Sequence, residues 1–345
     1  MSDTRPTISR DQAVAPLFAG IDLGGTNIKV GLVDDQGQLL GYRSVPTEVE
    51  QGAEAGARRM AEVVRQIADS AEVGMADVAR VGLATPGTMD IPGGRLLKPV
   101  NFPSWHDFPI RDRVSHHCGR PVTYENDANA AAYGEFWLGA GRDLPSLIML
   151  TLGTGVGGGI IIGDLTIDGQ HSHGGECGHI IIDSADDARM CNCGQRGHLE
   201  AYCSATAVVR RTEEALQAGR GGSLAKAAAA GEELTALLID KHAEKDDPLA
   251  WEIVLETARM LGIGIVTLAH TIDPAGVLIG GAMTFGREKS PVGRKFLERI
   301  RQEVRSRALP VVAEKLLIEF AALGSDAGFY GAAGLARVEH HRKGS

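Results

Sequence analysis

The sequence predicts an α/β protein built from two related halves with a cleft between them. Strand-like and helix-like segments alternate along the 345 residues, which is typical of layered α/β domains. A strand, a glycine-rich turn and a second strand occur at 23-LGGTNIKVGLVDD-35 and again at 152-LGTGVGGGIIIGD-164. This repeat suggests an internal duplication, although glycine-rich turns resemble one another easily.

The predicted elements of the first half follow one another at short intervals. Asn126 or Asp127 stands near the start of its last helix, where capping residues are favoured. In order, the elements are a disordered tail at 1–16, a β-meander at 17–40, a helix at 53–71, a strand at 80–87 that ends in a Pro-Gly turn, and a strand followed by a helix at 121–139.

The second half repeats the strand–turn–strand pattern and then becomes mostly helical. We expect its second helix to be broken at Gly231, and its third to begin with Asp247 as the cap and Pro248 in the first turn. The predicted elements are a strand pair at 147–169, helices at 204–219, 224–245 and 247–270, a strand at 276–283, a helix at 291–307, a strand at 315–323 and a final helix at 326–341.

The composition is that of an ordinary globular protein with an excess of glycine. Apolar residues make up 43% and charged residues 23% of the chain, but glycine reaches 45 of 345 residues, about 13% against an average of roughly 7%. The glycines cluster in short runs, which suggests backbone brought close to a ligand. The net charge of −9 argues against a nucleic-acid partner and leaves room for a small anionic ligand.

The compartment expected from the sequence is the cytoplasm, with no membrane partner. No apolar run reaches the ~18 residues of a membrane span. The weakly apolar 13-AVAPLFAGI-21 runs directly into Asp22 without the cleavage pattern of a signal peptide. Five cysteines, an odd number, do not suggest a disulfide framework.

The glycine-rich turns predict a site for phosphate rather than for a dinucleotide. The string Gly153-x-Gly155-x-x-Gly158 is followed by three isoleucines, which favour a strand where a dinucleotide fold needs a helix. Backbone N–H groups in such turns can form an anion-binding concavity. Plain hairpins, in which glycine only supplies positive φ, are the alternative. The neighbouring side chains that favour a phosphate clamp are Asp22, Thr26, Asn27, Lys29 and Thr154.

Two aspartates are candidates for the chemistry. Asp22 ends an apolar strand, where a buried carboxylate is costly unless it meets a cation or hydrogen-bond donors. Mg²⁺ fits this position, and a turn cap is the alternative. Asp127 lies at a strand–helix junction, where the local sequence alone favours a helix cap over a catalytic base.

Two cysteines and two histidines predict a zinc site. Cys191 and Cys193 are one residue apart, His198 follows across a loop that contains glycines, and His179 lies upstream. Four such ligands would close a tetrahedral site, so that the metal would be structural and not catalytic. The alternative is a metal-free loop with His198 exposed or bonded to a sugar, since buried free thiols are common.

Taken together, six motifs resemble those of the ROK family of sugar kinases and regulators, over residues 17–338. The resemblance implies a two-lobed ribonuclease-H-like fold of the actin-like ATPase superfamily. It implies a small lobe at 17–133, completed by the C-terminal helix at 326–345, and a large lobe with the zinc loop at 134–325. The motifs are 22-DLGGTNIK-29, 125-ENDANAAAYGE-135, 152-LGTGVGGG-159, 175-GECGH-179, 191-CNCGQRGHLE-200 and 278-LIGGAM-283.

The resemblance also implies ATP-dependent phosphorylation of a sugar hydroxyl, with Asp127 as the base rather than a cap. We then expect Asp127 to lie near the Asp22 turn. The expected sugar ligands are Asn126, Asp127, Glu176, His179 and Glu200, with Gly87 and Asn101 as weaker candidates. The expected ligands of ATP and Mg²⁺ are Asp22, Gly24, Gly25, Thr26, Asn27, Lys29, Gly153, Thr154, Gly155, Gly280 and Gly281. The expected zinc ligands are His179, Cys191, Cys193 and His198, where His198 replaces the third cysteine usual in the family.

Glucose is the leading substrate by resemblance, and N-acetylmannosamine, N-acetylglucosamine and fructose are the alternatives. A non-catalytic sugar-responsive regulator is the competing class. Family repressors carry an N-terminal winged helix, whereas only about sixteen residues precede the first predicted strand here. Both Asp22 and Asp127 are present, which favours an enzyme. The family often forms dimers, so we expect a homodimer.

Overall fold

Two five-stranded sheets with the same strand order organise the chain. The computed structural model describes residues 5–99 and 102–344. The contacts divide the chain into two units. Unit 1 comprises Met1–Asp143, Gly159–Gly175 and Leu323–Ser345, and unit 2 comprises Leu144–Gly158 and Glu176–Ala322.

The strands and helices largely follow the predicted periodicity. The strands are β1 (Leu17–Leu23), β2 (Asn27–Val33), β3 (Leu39–Pro46), β4 (Val78–Thr85), β5 (Thr88–Asp90), β6 (Arg95–Lys98), β7 (Val122–Asn126), β8 (Ser146–Leu152), β9 (Val156–Ile162), β10 (Leu165–Thr166), β11 (Gly276–Gly281) and β12 (Leu317–Phe320). The helices are α1 (Ala53–Ser70), α2 (Ile110–Cys118), α3 (Asp127–Leu138), α4 (Glu200–Cys203), α5 (Ala205–Gln217), α6 (Ser223–Ala229), α7 (Ala236–Ala243), α8 (Pro248–Ile272), α9 (Pro291–Arg307), α10 (Pro310–Lys315) and α11 (Ala327–Gly344).

The first sheet has the order β3-β2-β1-β4-β7. Strands β1 to β3 form an antiparallel meander, and β4 and β7 run parallel to β1. Helix α1 packs its apolar side, including Met60 and Val64, into the same core cluster as Ile21 of β1. Phe18 of β1 belongs to a second cluster with Phe329 of α11. Because helices cover both faces, β1 is apolar almost throughout.

Helix α11 belongs to unit 1. It lies directly against β1 and β4 at Gly20 and Gly82, where an added Cβ would overlap the backbone oxygens of Phe329 and Ala332. The absence of side chains at these two strand positions therefore lets the helix backbone approach the sheet.

The second sheet has the order β10-β9-β8-β11-β12, with β11 parallel to both β8 and β12. Each sheet thus consists of a three-stranded meander followed by two strands reached through helical connections. The shared order agrees with the duplication suggested by the two glycine-rich motifs.

Helix α8 is long and apolar, but charged residues such as Glu256 and Arg259 interrupt it, in line with the prediction that no apolar run reaches the ~18 residues of a membrane span. Among the described residues it is the one helix whose length and composition would allow it to cross a membrane, and 56% of its apolar window is buried. One such helix is weak evidence, because the core helix of a folded domain passes the same test. Asp247 caps it by accepting the N–H of Ala250, and Pro248 occupies the first turn, as predicted.

Residues 5–16 are ordered by specific contacts, unlike the predicted disordered tail. The Arg5 guanidinium donates to both carboxylate oxygens of Asp326 (2.7 and 2.8 Å) and lies 3.6 Å from the centre of the Tyr42 ring. The Ile8 N–H donates to the Leu39 carbonyl oxygen at 2.8 Å. The prediction was wrong because the polar composition hid two kinds of contact: the polar contacts of Arg5, and the packing of the partly buried Ile8 and Ala13 against the core cluster.

The predicted lobe boundary at 133/134 also differs from the structure, because it would cut α3. The units instead change at 143/144. Residues 159–175, which the sequence assigned to the large lobe, belong to unit 1.

Candidate functional site

The carboxyl ends of parallel strands bring Asp22 and Asp127 to one edge of the sheet in unit 1. Asp22 of β1 pairs in register with Ala84 of β4, and Ala84 pairs with Glu125 of β7. Asp127 follows directly at the end of β7. Two inter-strand spacings of about 4.8 Å separate β1 from β7, and Asp127 lies two residues, about 7 Å, beyond the level of Asp22, so the Cα atoms of the two aspartates are roughly 12 Å apart.

Asp127 is the first residue of α3, but the helix is capped by Asn126. The Asn126 Oδ1 accepts the N–H groups of Ala128 (2.8 Å) and Asn129 (3.2 Å). The Asp127 Oδ1 also accepts the Ala128 N–H, at 2.9 Å. The capping role that the local sequence offered to Asp127 is therefore filled by its neighbour.

Asp22 needs a compensating positive charge. Burial raises the pKa of its carboxyl, and Lys29 opposes that rise. The Lys29 Nζ lies 3.7 Å from Asp22 Oδ2 and also donates to the Ser325 carbonyl oxygen at 2.9 Å. Gly328 leaves room beside the carboxylate, since an added Cβ would lie 2.7 Å from Asp22 Cγ. The Asp22 carboxylate is also the kind of oxygen ligand that a hard divalent cation such as Mg²⁺ prefers.

The glycine-rich turns are tight hairpins that do not depend on positive φ. In the first, the Gly24 N–H donates to the Asn27 carbonyl oxygen, and in the second, the Gly153 N–H donates to that of Gly155, both at 2.9 Å. Gly24, Gly153 and Gly155 lie outside the left-handed region. Close approach explains two of them, because an added Cβ would meet the Asn27 oxygen at position 24 and the Glu200 carboxylate at position 155.

In unit 2, two glycine segments meet at one sheet edge. Gly281 of β11 pairs with Leu152 of β8, which immediately precedes the turn at 153–155. Gly281 has a φ of +89°, and an added Cβ would overlap the Leu152 backbone. Helix α5 begins at the same place, where the Thr206 hydroxyl donates to the Thr154 carbonyl oxygen at 2.9 Å. The sequence did not indicate Thr206 as a site residue.

Glu176, His179 and Glu200 lie around the cysteine loop of unit 2. The His179 Nε2 is 3.7 Å from Glu176 Oε2. Glu200 uses one oxygen to accept the Val156 N–H at 3.0 Å, while Cys191 Sγ–H donates to the other at 3.3 Å. Glu200 therefore links the second glycine turn to the cysteine loop.

His179, Cys191, Cys193 and His198 converge as predicted for a zinc site, with all four ligand atoms within 4.8 Å of one another. The His198 Nδ1 lies 3.2 Å from both His179 Nδ1 and Cys193 Sγ, and His179 Nδ1 is 4.0 Å from Cys191 Sγ. Zn–N bonds of about 2.0–2.1 Å and Zn–S bonds of about 2.3 Å imply separations of roughly 3.3–3.8 Å in a tetrahedral site. The observed separations, which reach 4.8 Å, exceed this range at some pairs, so the residues fit a zinc ion after small side-chain movements.

The ionisation of His198 also suits a metal ligand. Burial, and then the proximity of His179, lower the pKa of His198. Both effects favour the neutral imidazole, which is the form that binds metal. The loop turns at Gly194 and Gly197, whose φ angles are +87° and +78°.

The two weaker sugar-ligand candidates have different outcomes. Gly87 follows β4 at the same edge as Asp22, with a φ of +96°, and an added Cβ would lie 2.9 Å from Pro99 Cα. Asn101 lies outside the described residues.

A buried polar cluster beside Asp127 was missed by the sequence analysis. Glu125 and Asn129 are each 4% exposed. Asn129 Nδ2 donates to both the Glu125 and the Asp168 carboxyl groups, each at 3.1 Å. Glu125 lies within a motif that the sequence singled out, but Asp168 is 39 residues from Asn129, and no spacing pattern joined the two.

The ROK family model matches residues 18–339. The chain belongs to the ROK family. The glucokinase of Thermotoga maritima is 34% identical to this ROK protein over 316 residues, which cover 92% of this chain and 96% of that protein. The glucokinase of Halalkalibacterium halodurans is 32% identical over 324 residues, covering 94% and 96% respectively.

Solved structures agree with the family assignment. A ROK hexokinase from Thermus thermophilus has a TM-score of 0.80 and 33% identity, covering 94% of this chain and 99% of that chain. A ROK family glucokinase from Streptomyces griseus, solved with glucose and AMPPNP, has a TM-score of 0.71 and 32% identity, covering 93% and 99%. These similarities confirm the predicted family and its actin-like α/β fold class.

Proposed function

We propose that this ROK-family sugar kinase phosphorylates glucose to glucose 6-phosphate with ATP as the donor. The similarity to proteins named glucokinase supports the choice of sugar, and the relative solved with glucose and AMPPNP supports both ligands. The structural observation that carries the proposal is the placement of Asp127 beside the capped start of α3, on the same sheet edge as Asp22.

Asp127 acts as the general base in this proposal. Phosphoryl transfer needs mainly alignment and charge neutralisation, together with a group that accepts the proton of the attacking hydroxyl. The Asp127 carboxylate takes that proton, and the Asn126 cap holds the helix start that carries it. The Asn126 side chain and Gly87 line the acceptor sugar on this unit, and Asn101 completes the predicted set.

Asp22 and the glycine turns hold the nucleotide. Mg²⁺ bound at Asp22 neutralises phosphate charge when present. Lys29, Thr26 and Asn27 supply donors at the first turn. The phosphate-binding backbone comes from Gly24, Gly25, Gly153, Thr154, Gly155, Gly280 and Gly281, whose N–H groups need no side chain to reach an anion.

Zinc shapes the sugar pocket of unit 2 in this proposal without taking part in the reaction. The His179 Nδ1 faces the other three zinc ligands, whereas its Nε2 faces Glu176. A metal ion on Nδ1 would therefore fix the ring with its Nε2–H free to donate to a sugar hydroxyl. Glu176 and Glu200 would accept bonds from other hydroxyls. We further propose a cytoplasmic homodimer.

Regulators are also among the proteins similar to this chain, such as the xylose repressor of Caldicellulosiruptor bescii. It is 27% identical over 319 residues, which cover 92% of this chain and 77% of that protein. A coupled ADP-release assay separates an enzyme from a sensor. The panel comprises hexoses and N-acetylhexosamines, with ATP or polyphosphate as donor, and we expect the highest kcat/KM with glucose and ATP.

The variant Asp127→Asn tests the mechanism directly. We expect kcat to fall by about 10²- to 10⁴-fold, the usual contribution of a general base, while glucose binding by calorimetry stays largely intact. Asp69→Asn, an exposed aspartate on α1, is the matched control and should leave kcat unchanged. Near-normal turnover in Asp127→Asn would contradict the role of Asp127 as the general base. If no sugar led to ADP release, the proposed kinase activity would be refuted.

A further inference from the structure

We infer that Glu125 and Asp168 form a carboxyl pair that shares one proton and positions Asp127 for its reaction. They are positioning residues, because their contacts are to the strand–helix junction that carries Asp127. The kinetic part of this inference rests on the proposed function, whereas the shared proton does not.

Three segments of unit 1 build the pair. Asn129, in the first turn of α3, donates from Nδ2 to Glu125 Oε1 and to Asp168 Oδ1, each at 3.1 Å. Thr166 of β10 donates its hydroxyl to Glu125 Oε2 at 3.3 Å. One amide thus joins a carboxyl group at the end of β7 to a carboxyl group just after β10.

The surroundings of the pair favour a bound proton. Two carboxylates that share a buried donor repel each other, so one of them keeps a proton well above its ordinary range. Burial first, and then the charge of Asp168, raise the pKa of Glu125 to about 8. Further acidic groups lie nearby. Tyr124 of β7 has its pKa raised by burial and then by the charges of Glu125, Asp127 of α3 and Asp90 of β5.

The hydrogen bonds of Asn129 agree with this assignment. Its Nδ2 donates to both carboxyl groups, while its buried Oδ1 has no hydrogen-bond partner among the residues that the structure describes. A buried amide oxygen without a hydrogen bond is unfavourable. The orientation of the Asn129 side chain therefore indicates that its two N–H groups meet strong acceptors in the pair. A pair with one proton still carries one negative charge, which satisfies that demand.

The connection to Asp127 runs through the backbone. Glu125 Oε1 accepts the Asn126 N–H at 2.7 Å, and Asn126 caps the helix that begins at Asp127. Glu125 and Asn129 therefore stabilise the junction from the strand side and from the helix side, respectively. Loss of the shared proton would place two negative charges on Asn129 and force the carboxylates apart. The junction, and Asp127 with it, would then move.

The variant Glu125→Gln tests this arrangement, because the amide keeps an oxygen for the Asn126 N–H and mimics the protonated acid. Wild-type kcat should fall as the pH rises through about 8, and Glu125→Gln should retain turnover within about threefold at pH 7 and lose that alkaline fall. Asp168→Asn should lose it as well. Glu125→Ala, which removes the acceptor, should lower kcat at pH 7 by at least about tenfold.

The control is Glu135→Gln, a buried carboxyl on the same helix that accepts the N–H groups of Ala140 and Leu323. It should keep the alkaline fall of the wild type. The inference would be overturned by an unchanged alkaline fall in Glu125→Gln, or by normal turnover in Glu125→Ala.

A second readout is independent of kinase activity. The folded protein holds a proton on Glu125 that the unfolded chain releases above pH 4.5, so stability should decline as the pH rises from about 4.5 to about 8. In Glu125→Gln this decline should be weaker, and its melting temperature relative to wild type should rise across that window. If the melting temperatures of wild type and Glu125→Gln changed with pH in parallel, the shared proton would be refuted. If stability declined less with pH in Glu125→Gln but the wild type phosphorylated no sugar, the proposed function would be refuted and the shared proton would be supported.

Discussion

Gly155→Ala perturbs a single contact in the proposed sugar site. The added Cβ would fall inside the 3.0 Å that Cβ contacts essentially never cross, against Oε2 of Glu200. That oxygen accepts the Val156 N–H at 3.0 Å. Since ordinary contact begins at about 3.4 Å, Glu200 must shift by more than about 0.4 Å, and the hydrogen bond is strained or lost.

The size of the effect follows from that bond. A hydrogen bond to a charged group contributes about 1.5–3 kcal/mol. If Glu200 binds sugar only in the position set by Val156, the same free energy is lost from sugar binding. At about 1.4 kcal/mol per factor of ten, glucose affinity should fall roughly 10- to 100-fold.

The assay is calorimetric titration with glucose in the absence of nucleotide, so that any role of the turn in phosphate binding does not contribute. Gly153→Ala is the matched control. It makes the same substitution in the same turn, but its added Cβ has no atom of the described residues within 4 Å, and its φ is not left-handed. Equal glucose affinities for the two variants would refute the role of Glu200 and its link to the turn.

Two further predictions concern the cysteine loop and the N-terminal segment. Cys193→Ala should lose zinc, measured by metal analysis of the purified protein, and bind sugar more weakly, whereas the buried Cys118→Ala should keep both. Full zinc occupancy in Cys193→Ala would contradict the site. Arg5→Ala removes the paired contact with Asp326 and the stacking on Tyr42, and should lower the free energy of urea unfolding by about 1–2 kcal/mol. Arg142→Ala, an arginine on the surface, should change it by much less, and equal losses would contradict the contribution of Arg5.

The sequence predicted the elements with strong periodicity and missed those set by tertiary contacts. Helix α9 was predicted with its observed bounds, because its apolar spacing is regular and Pro291 marks its start. The short helices α2 and α10 and the hairpin of β5 and β6 were missed. They have too few residues for a period to emerge, and packing against neighbouring elements decides their structure.

The arrangement of the candidate site was likewise predictable where strand ends set it and not predictable where tertiary contacts set it. Motif residues such as Asp22 and Asp127 lie on one sheet edge as expected, because the ends of parallel strands must meet there. The Glu125–Asp168 pair was not predictable, since it forms between segments distant in sequence, and a carboxylate in a polar loop such as 167–175 is usually solvated. The ordered contacts of Arg5 were missed for the same reason.

The hydrogen-bond ladder between β1, β4 and β7 has a consequence for the diversification of this protein. The spacing of Asp22 and Asp127 is set by strand pairing and not by the length of any connection. Insertions or deletions in the connections between these strands therefore change the neighbouring loops while the distance between the two carboxylates stays the same. Such changes would alter which sugar is preferred without moving the groups proposed to carry out the reaction.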